Sequence, residues 1–175
     1  MKKYFIAGTV ILVIGLAINY GLGGFKTIEP EMVEVEDYVV YGKPYEGSYK
    51  SNWLANMVEE MRTLQEGIDD STDLVIINYI NEAKETLGDI NNFVGLSLKS
   101  DSGNVALSKL EKRIIKASKA IRLKVKIQPM VMPSPEKIKG LALDYAKRNG
   151  LDLQQISIEK YSTDGLLIIE FPVID

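Results

Sequence analysis

A plan that repeats itself constrains this chain more than any single motif. Twice, in order, it lays down an alternating strand, an amphipathic stretch of about four helical turns, a break made of Gly, an apolar residue and Asp, and a hairpin whose first arm ends in tyrosine. The breaks are Gly67-Ile68-Asp69 and Gly150-Leu151-Asp152, and the tyrosines are Tyr79 and Tyr161. Two strand-helix-strand-strand units predict an α+β domain whose continuous antiparallel sheet carries both helices on one face and leaves the opposite face free. A cleft is expected at the pseudo-twofold seam. Aligned on the tyrosines, Ile77 takes the place of Glu159, so the seam holds one carboxylate rather than two.

Within the first unit, Met32 to Tyr45 alternates and is rich in Val and Tyr. It reads as one long strand, or as two joined by a bend at Gly42 and Pro44. Glu46-Gly47-Ser48-Tyr49 reads as a turn, and Ser51 or Asn52 as a helix cap. Trp53, Leu54, Met57, Val58, Met61 and Leu64 recur at helical spacing, which predicts a helix over Asn52 to Glu66 ended by Gly67 and assigns Trp53 to the core. Leu74 to Ile80 and Asn92 to Leu98 make a first hairpin around Gly88-Asp89. After the polar run Ser100-Asp101-Ser102-Gly103-Asn104, a short irregular piece leads to a strand from about Ala120 to Met132, with Met130 and Met132 inward. Pro135 opens a second helix that turns Ile138, Leu141, Ala142, Tyr145 and Ala146 inward and ends at Asn149-Gly150. Asp164-Gly165 between the apolar arms Ile156 to Tyr161 and Leu166 to Val173 is a strong hairpin signal.

Ahead of this domain, Tyr4 to Phe25 has no charged side chain and Lys2-Lys3 precede it. Such a stretch just spans a hydrocarbon core of roughly 30 Å. It reads as an uncleaved transmembrane anchor over residues 1–25, with a cleaved signal peptide as the rival; no good small-x-small cleavage pattern follows the apolar run. The basic residues before it and Glu29, Glu31, Glu34 and Glu36 after it put the domain, residues 26–175, on the outer (periplasmic or extracellular) side.

The 175 residues contain no histidine and no cysteine, and the net charge is -3. Disulfides, thiolate or imidazole metal sites and Ser-His-Asp or Cys-His catalysis are thereby excluded, and no nucleic-acid partner is expected from charge. Neither a metal nor a cofactor is expected. The run Lys109, Lys112, Arg113, Lys116, Lys119, Arg122, Lys124, Lys126 reads as a solvated face, or as a surface against anionic lipid.

Alternation in the first arm of the last hairpin puts Ser157, Glu159 and Tyr161 on one surface. Glu159 beside aromatic residues is a candidate for selecting a cation by charge and π-face contact, or is an ordinary solvated strand glutamate. Tyr49 and Trp53 are candidates for lining the cleft. Glu159 with Glu170 is a candidate carboxylate pair for acid-base chemistry.

Tyr45-Glu46-Gly47-Ser48-Tyr49, Phe93-Val94-Gly95-Leu96, Ile158-Glu159-Lys160-Tyr161 and Ile169-Glu170-Phe171-Pro172-Val173, in that order and spacing, resemble the GyrI-like small-molecule-binding domain. That is the effector-binding domain of some transcriptional regulators and a relative of the SOUL haem-binding family. The similarity covers roughly Met32 to Val173. It implies that Glu159 lies at the floor of an aromatic cleft and recognises cationic, lipophilic ligands, with Tyr161 beside it. It implies a SOUL-like fold, while haem ligation lacks a histidine. No helix-turn-helix precedes the domain here, only the anchor. The expected function is therefore a membrane-anchored domain that binds a small cationic or amphipathic molecule without being an enzyme. The alternatives are a membrane-tethered protein or lipid interaction module docking through its sheet face, and a hydrolase of the same fold using Glu159.

Overall fold

The structure, a computed structural model, describes residues 28–68, 72–81, 88–98, 107, 109–127, 132–162 and 165–174. Among them run β1 (Glu31–Glu34), β2 (Tyr38–Ser48), α1 (Asn52–Glu66), β3 (Thr72–Tyr79), β4 (Asp89–Leu98), β5 (Glu111–Ile115), β6 (Lys119–Lys126), α2 (Pro135–Asn149), β7 (Ile156–Tyr161) and β8 (Leu166–Pro172). The eight strands form one antiparallel sheet in the order β1-β6-β8-β7-β3-β4-β2-β5. Each half of the chain therefore lends its first strand to the other half's edge: β1 pairs with β6, and β5 with β2.

Local signals account for the helices. Ser51 caps α1, its Oγ accepting the Trp53 amide at 3.2 Å. Ser134 does the same for α2 at the Lys137 amide, proline occupies the first turn, and Gly150 ends the helix in the left-handed region at φ 64, where a glycine pays no Cβ penalty. Both helices lie on one face. Met57 and Met61 of α1 cover Leu74, Val94 and Leu96, while Ile138, Ala142 and Ala146 of α2 cover Leu123, Leu167 and Ile169.

Reach decides the shape of the sheet. Six strand spacings separate β1 from β2, about 29 Å if the sheet were flat, yet Glu34 and Tyr38 are joined by four Cα steps, about 15 Å at most. The same mismatch holds for β5 and β6, joined through residues 116–118. The sheet must curl away from the helices until its ends meet, and the two short crossings run side by side across the concave face. Val35 N donates to Ser118 O at 3.0 Å, and Asp37 accepts from the Ala117 amide at 3.3 Å and from Lys116 at 2.5 Å. Gly42 and Gly95 face each other where β2 and β4 come closest; a Cβ on Gly95 would lie 2.3 Å from the Tyr41 carbonyl oxygen.

Several expectations change accordingly. The concave face is not free: Tyr38, Val40, Val75, Ile77, Phe93, Ala117 and Ile158 form a core on it, closed over by the crossings. The bend after β1 falls at residues 35–37 rather than at Gly42 and Pro44, which lie inside β2, as do Glu46 to Ser48. The irregular piece contains a five-residue strand, β5, and β6 stops at Lys126. Met132 is outside the sheet and exposed, and Met130 lies outside the described residues. Trp53 is 69% exposed, not core. The anchor assigned to residues 1–25 also lies outside the described residues, and among those described no helix is long and apolar enough to cross a membrane.

Candidate functional site

The two halves meet at the β3·β7 pair, in the middle of the sheet. Register there decides what the seam contains. Ile76 faces Glu159, Asn78 faces Ser157 and Leu74 faces Tyr161, and Leu74 and Tyr161 pack with the helix-side cores. Glu159 therefore stands on the helix face, at the centre of the seam. Ile77 points the other way, into the concave core, so it is not the counterpart of Glu159. A one-residue slip exchanges the faces of a strand, and aligning the units on Tyr79 and Tyr161 made that slip. Thr72, Leu74, Ile76 and Asn78 of β3 share Glu159's face; none is acidic, so among the described residues the seam carboxylate remains single.

Neutral donors hold that carboxylate. Tyr161 Oη donates to Glu159 Oε2 at 2.6 Å, and Asn78 Nδ2 donates to Glu159 Oε1 at 3.0 Å and to Ser157 Oγ at 3.2 Å. Burial pushes the Tyr161 pKa well up; the charge on Glu159 and the hydrogen bond to it push it further, and the Arg62 charge on α1 opposes them. The phenol thus stays protonated and keeps donating. Tyr161 also packs against the α1 and the α2 cores alike, which locates the pair between the two helices. The floor is a half-buried carboxylate, oriented but, among the described residues, not neutralised by an ion pair.

Tyr49 and Trp53 are placed elsewhere. Lys43 of β2 reaches Glu60 at 2.6 Å, and Trp53, seven residues before Glu60 and so on the same flank of α1, is exposed. Tyr49 lies past the end of β2, three strands from β7 or about 14 Å; it is 56% exposed, its amide donates to Gly88 O at 3.4 Å, and Lys50 Nζ sits 5.3 Å from its ring centre. Neither shares the surroundings of Glu159.

The proposed carboxylate pair does not form. Glu159 pairs with Ile169 and Glu170 with Ile158, so the two acids leave opposite faces of the hairpin. Glu170 is fully buried on the concave side. Arg122 Nε donates to its Oε1 at 2.7 Å and Lys160 Nζ lies 2.8 Å from its Oε2. Burial alone would raise its pKa; Lys160 and Arg122 outweigh that and hold it below the ordinary value. This cluster was missed from sequence although β6 and β7 each put a basic residue on the Glu170 face; only the strand order brings them together. The rest of the basic run lies just before β5, on β5, in the crossing after it and on β6, with Lys116 on Asp37, Lys124 on Glu31 and Arg113 on Glu111 and Tyr79. No group of three or more acidic side chains among the described residues could hold a metal ion.

No family model and no curated protein matches the chain by sequence. Solved structures do match in shape. The C-terminal domain of EcmrR superposes with a TM-score of 0.62 at 14% identity, covering 86% of this chain and 99% of that one; EcmrR in its DNA complex gives 0.59 at 14%, covering 98% and 67%. SAV2435 bound to tetraphenylphosphonium gives 0.53 at 11%, covering 83% and 94%. A hydrolase encoded by lin2189 of Listeria innocua gives 0.59 at 11%, covering 89% and 98%. At these identities the likeness establishes the architecture alone: two strand-helix-strand-strand units on one antiparallel sheet, the GyrI-like fold.

Proposed function

We propose that the chain binds a small cationic or amphipathic molecule in the seam between α1 and α2, with Glu159 as the recognising charge and without chemistry. The observation that carries this reading is the single carboxylate at the centre of the seam, oriented by Tyr161 and Asn78 but left without a cationic partner among the described residues. Ile76 opposite it and the ring of Tyr161 beside it offer apolar contact. A lipophilic cation matches that chemistry, and the likeness to a structure holding tetraphenylphosphonium supports it. Residues 1–25 act in this reading as a membrane anchor, with the domain on the outer side. DNA enters only as a partner of one similar structure, and several basic residues of this chain are engaged by acids. Docking through the sheet face loses ground, because crossings and a core occupy that face.

The test is thermal stabilisation of the full-length chain, purified in nonionic detergent, by lipophilic cations and by neutral isosteres of the same shape. A cation at 100 times its dissociation constant adds about 2.7 kcal/mol, and Glu159→Gln removes the shift. Stabilisation by cations and neutral isosteres alike would overturn Glu159 as the recognising group. A hydrolase is the second reading, supported by the Listeria innocua likeness. It requires ester or amide turnover that is lost in Glu159→Gln, with Glu159 holding the attacking water.

A further inference from the structure

The concave face holds a polar cluster that the seam does not use. Arg122 and Lys160 share the one buried carboxylate of Glu170, so two cations meet one anion and a positive charge is left over. That surplus is accessible. The side chains of Arg122 and Lys160 retain 26% and 23% exposure, and with Tyr38 and Ser97 they line a cleft of about 540 Å³ beneath the crossing from β1 to β2. This volume falls within the range of small-molecule sites.

A second observation points the same way. The Tyr38 hydroxyl is buried beside the Glu170 carboxylate; burial first, and then that group's charge and hydrogen bond, keep it protonated. Its ring is held by Lys160 Nζ at 4.8 Å from the centroid, so the hydroxyl is fixed within the wall of the cleft. The opposite wall has the opposite sign: Glu34 and Glu36, both exposed, line the cleft from the crossing, while Asp37 is engaged by Lys116 and the Ala117 amide. The floor is positive, and the rim carries Glu34 and Glu36 together with Lys112 of β5.

We propose that this concave cleft binds a small zwitterion of the amino-acid type. Its carboxylate rests between Arg122, Lys160 and Tyr38, and its ammonium lies under Glu34 and Glu36. The lip repels polyanions, and the basic floor repels simple amines. Recognition of this kind requires both charges on one small molecule, which separates it from the lipophilic cation of the seam.

Titration calorimetry on the full-length chain tests this with the proteinogenic amino acids singly, with 4-methylpentanoate and 3-methylbutylamine as leucine lacking one or the other charge, and with inorganic phosphate. At least one amino acid is expected to bind with a submillimolar constant and about tenfold more tightly than analogues with one charge. Lys160→Gln, which keeps the Arg122 to Glu170 pair, weakens that binding about tenfold. The double variant Glu34→Gln, Glu36→Gln changes only exposed side chains and brings the amino acid down to the affinity of its deaminated analogue. The proposal is overturned if no amino acid binds at about 10 mM, if phosphate or the deaminated analogue binds as well as the best amino acid, or if either variant binds like the unmodified chain.

Discussion

Glu159 and Glu170 leave one hairpin in opposite directions, and the contrast between them separates a binding group from a structural one. Glu170 is wholly buried and is answered by two cations, so its charge is spent inside the protein. Glu159 is half-exposed and is answered by a phenol and an amide. Neutral donors orient a carboxylate without cancelling it, and the charge remains available to a ligand.

The largest effect expected from breaking this contrast is on the buried side. Glu170→Gln leaves Arg122 and Lys160 on the concave face without their counter-ion, and urea denaturation should show a loss of about 3–5 kcal/mol. The same residue makes stability depend on pH. Its folded pKa lies below the ordinary 4.5, so its contribution is complete above that value and is lost as the pH falls through the lower, folded value. Unfolding curves of the variant should lack that acid-side decline. On the seam side, Glu159→Gln should cost about 100-fold in cation affinity, near 2.7 kcal/mol, while stability moves by less than about 1 kcal/mol. A large stability loss there would erase the distinction.

Smaller substitutions sharpen it. Tyr161→Phe removes a hydrogen bond to a charged group, worth about 1.5 kcal/mol, and should weaken the cation about tenfold with little change for a neutral isostere. Trp53→Ala should do least. On its exposed flank it should leave affinity within about twofold and stability within about 0.5 kcal/mol; a larger loss of affinity would put the ligand on the β2 side of α1.

What could be read from the residues follows how local their causes are. Ser51, Ser134, Pro135 and Gly150 act within one turn of their helices, and Gly165 turns at φ 78 between adjacent arms, so both helices and the last hairpin were legible. The shared face of Glu159 and Tyr161 needed only alternation. Asn78, 81 positions from Glu159 in sequence, needed the strand order, as did Arg122 for Glu170. The bend at residues 35–37 carries no glycine or proline because the crossing, not a turn residue, sets it. β5 was hidden for a related reason: five residues at an edge pair only with β2, and their alternation is too short to stand out. Trp53 shows the limit of periodicity, since spacing with Met57 marks a helix but cannot tell a buried face from its flank.

The exchange of first strands between the halves gives the chain a timetable. Glu31 finds its partner only in Arg122, so on a ribosome adding about 5–20 residues per second the first strand waits roughly 5–20 s before its edge exists. The early chain can collect β2, α1, β3 and β4, but β3 still lacks β7 and β2 still lacks β5. Nascent chains stalled before residue 115 should therefore remain sensitive to protease, and protection should arrive late and all at once when the final hairpin emerges.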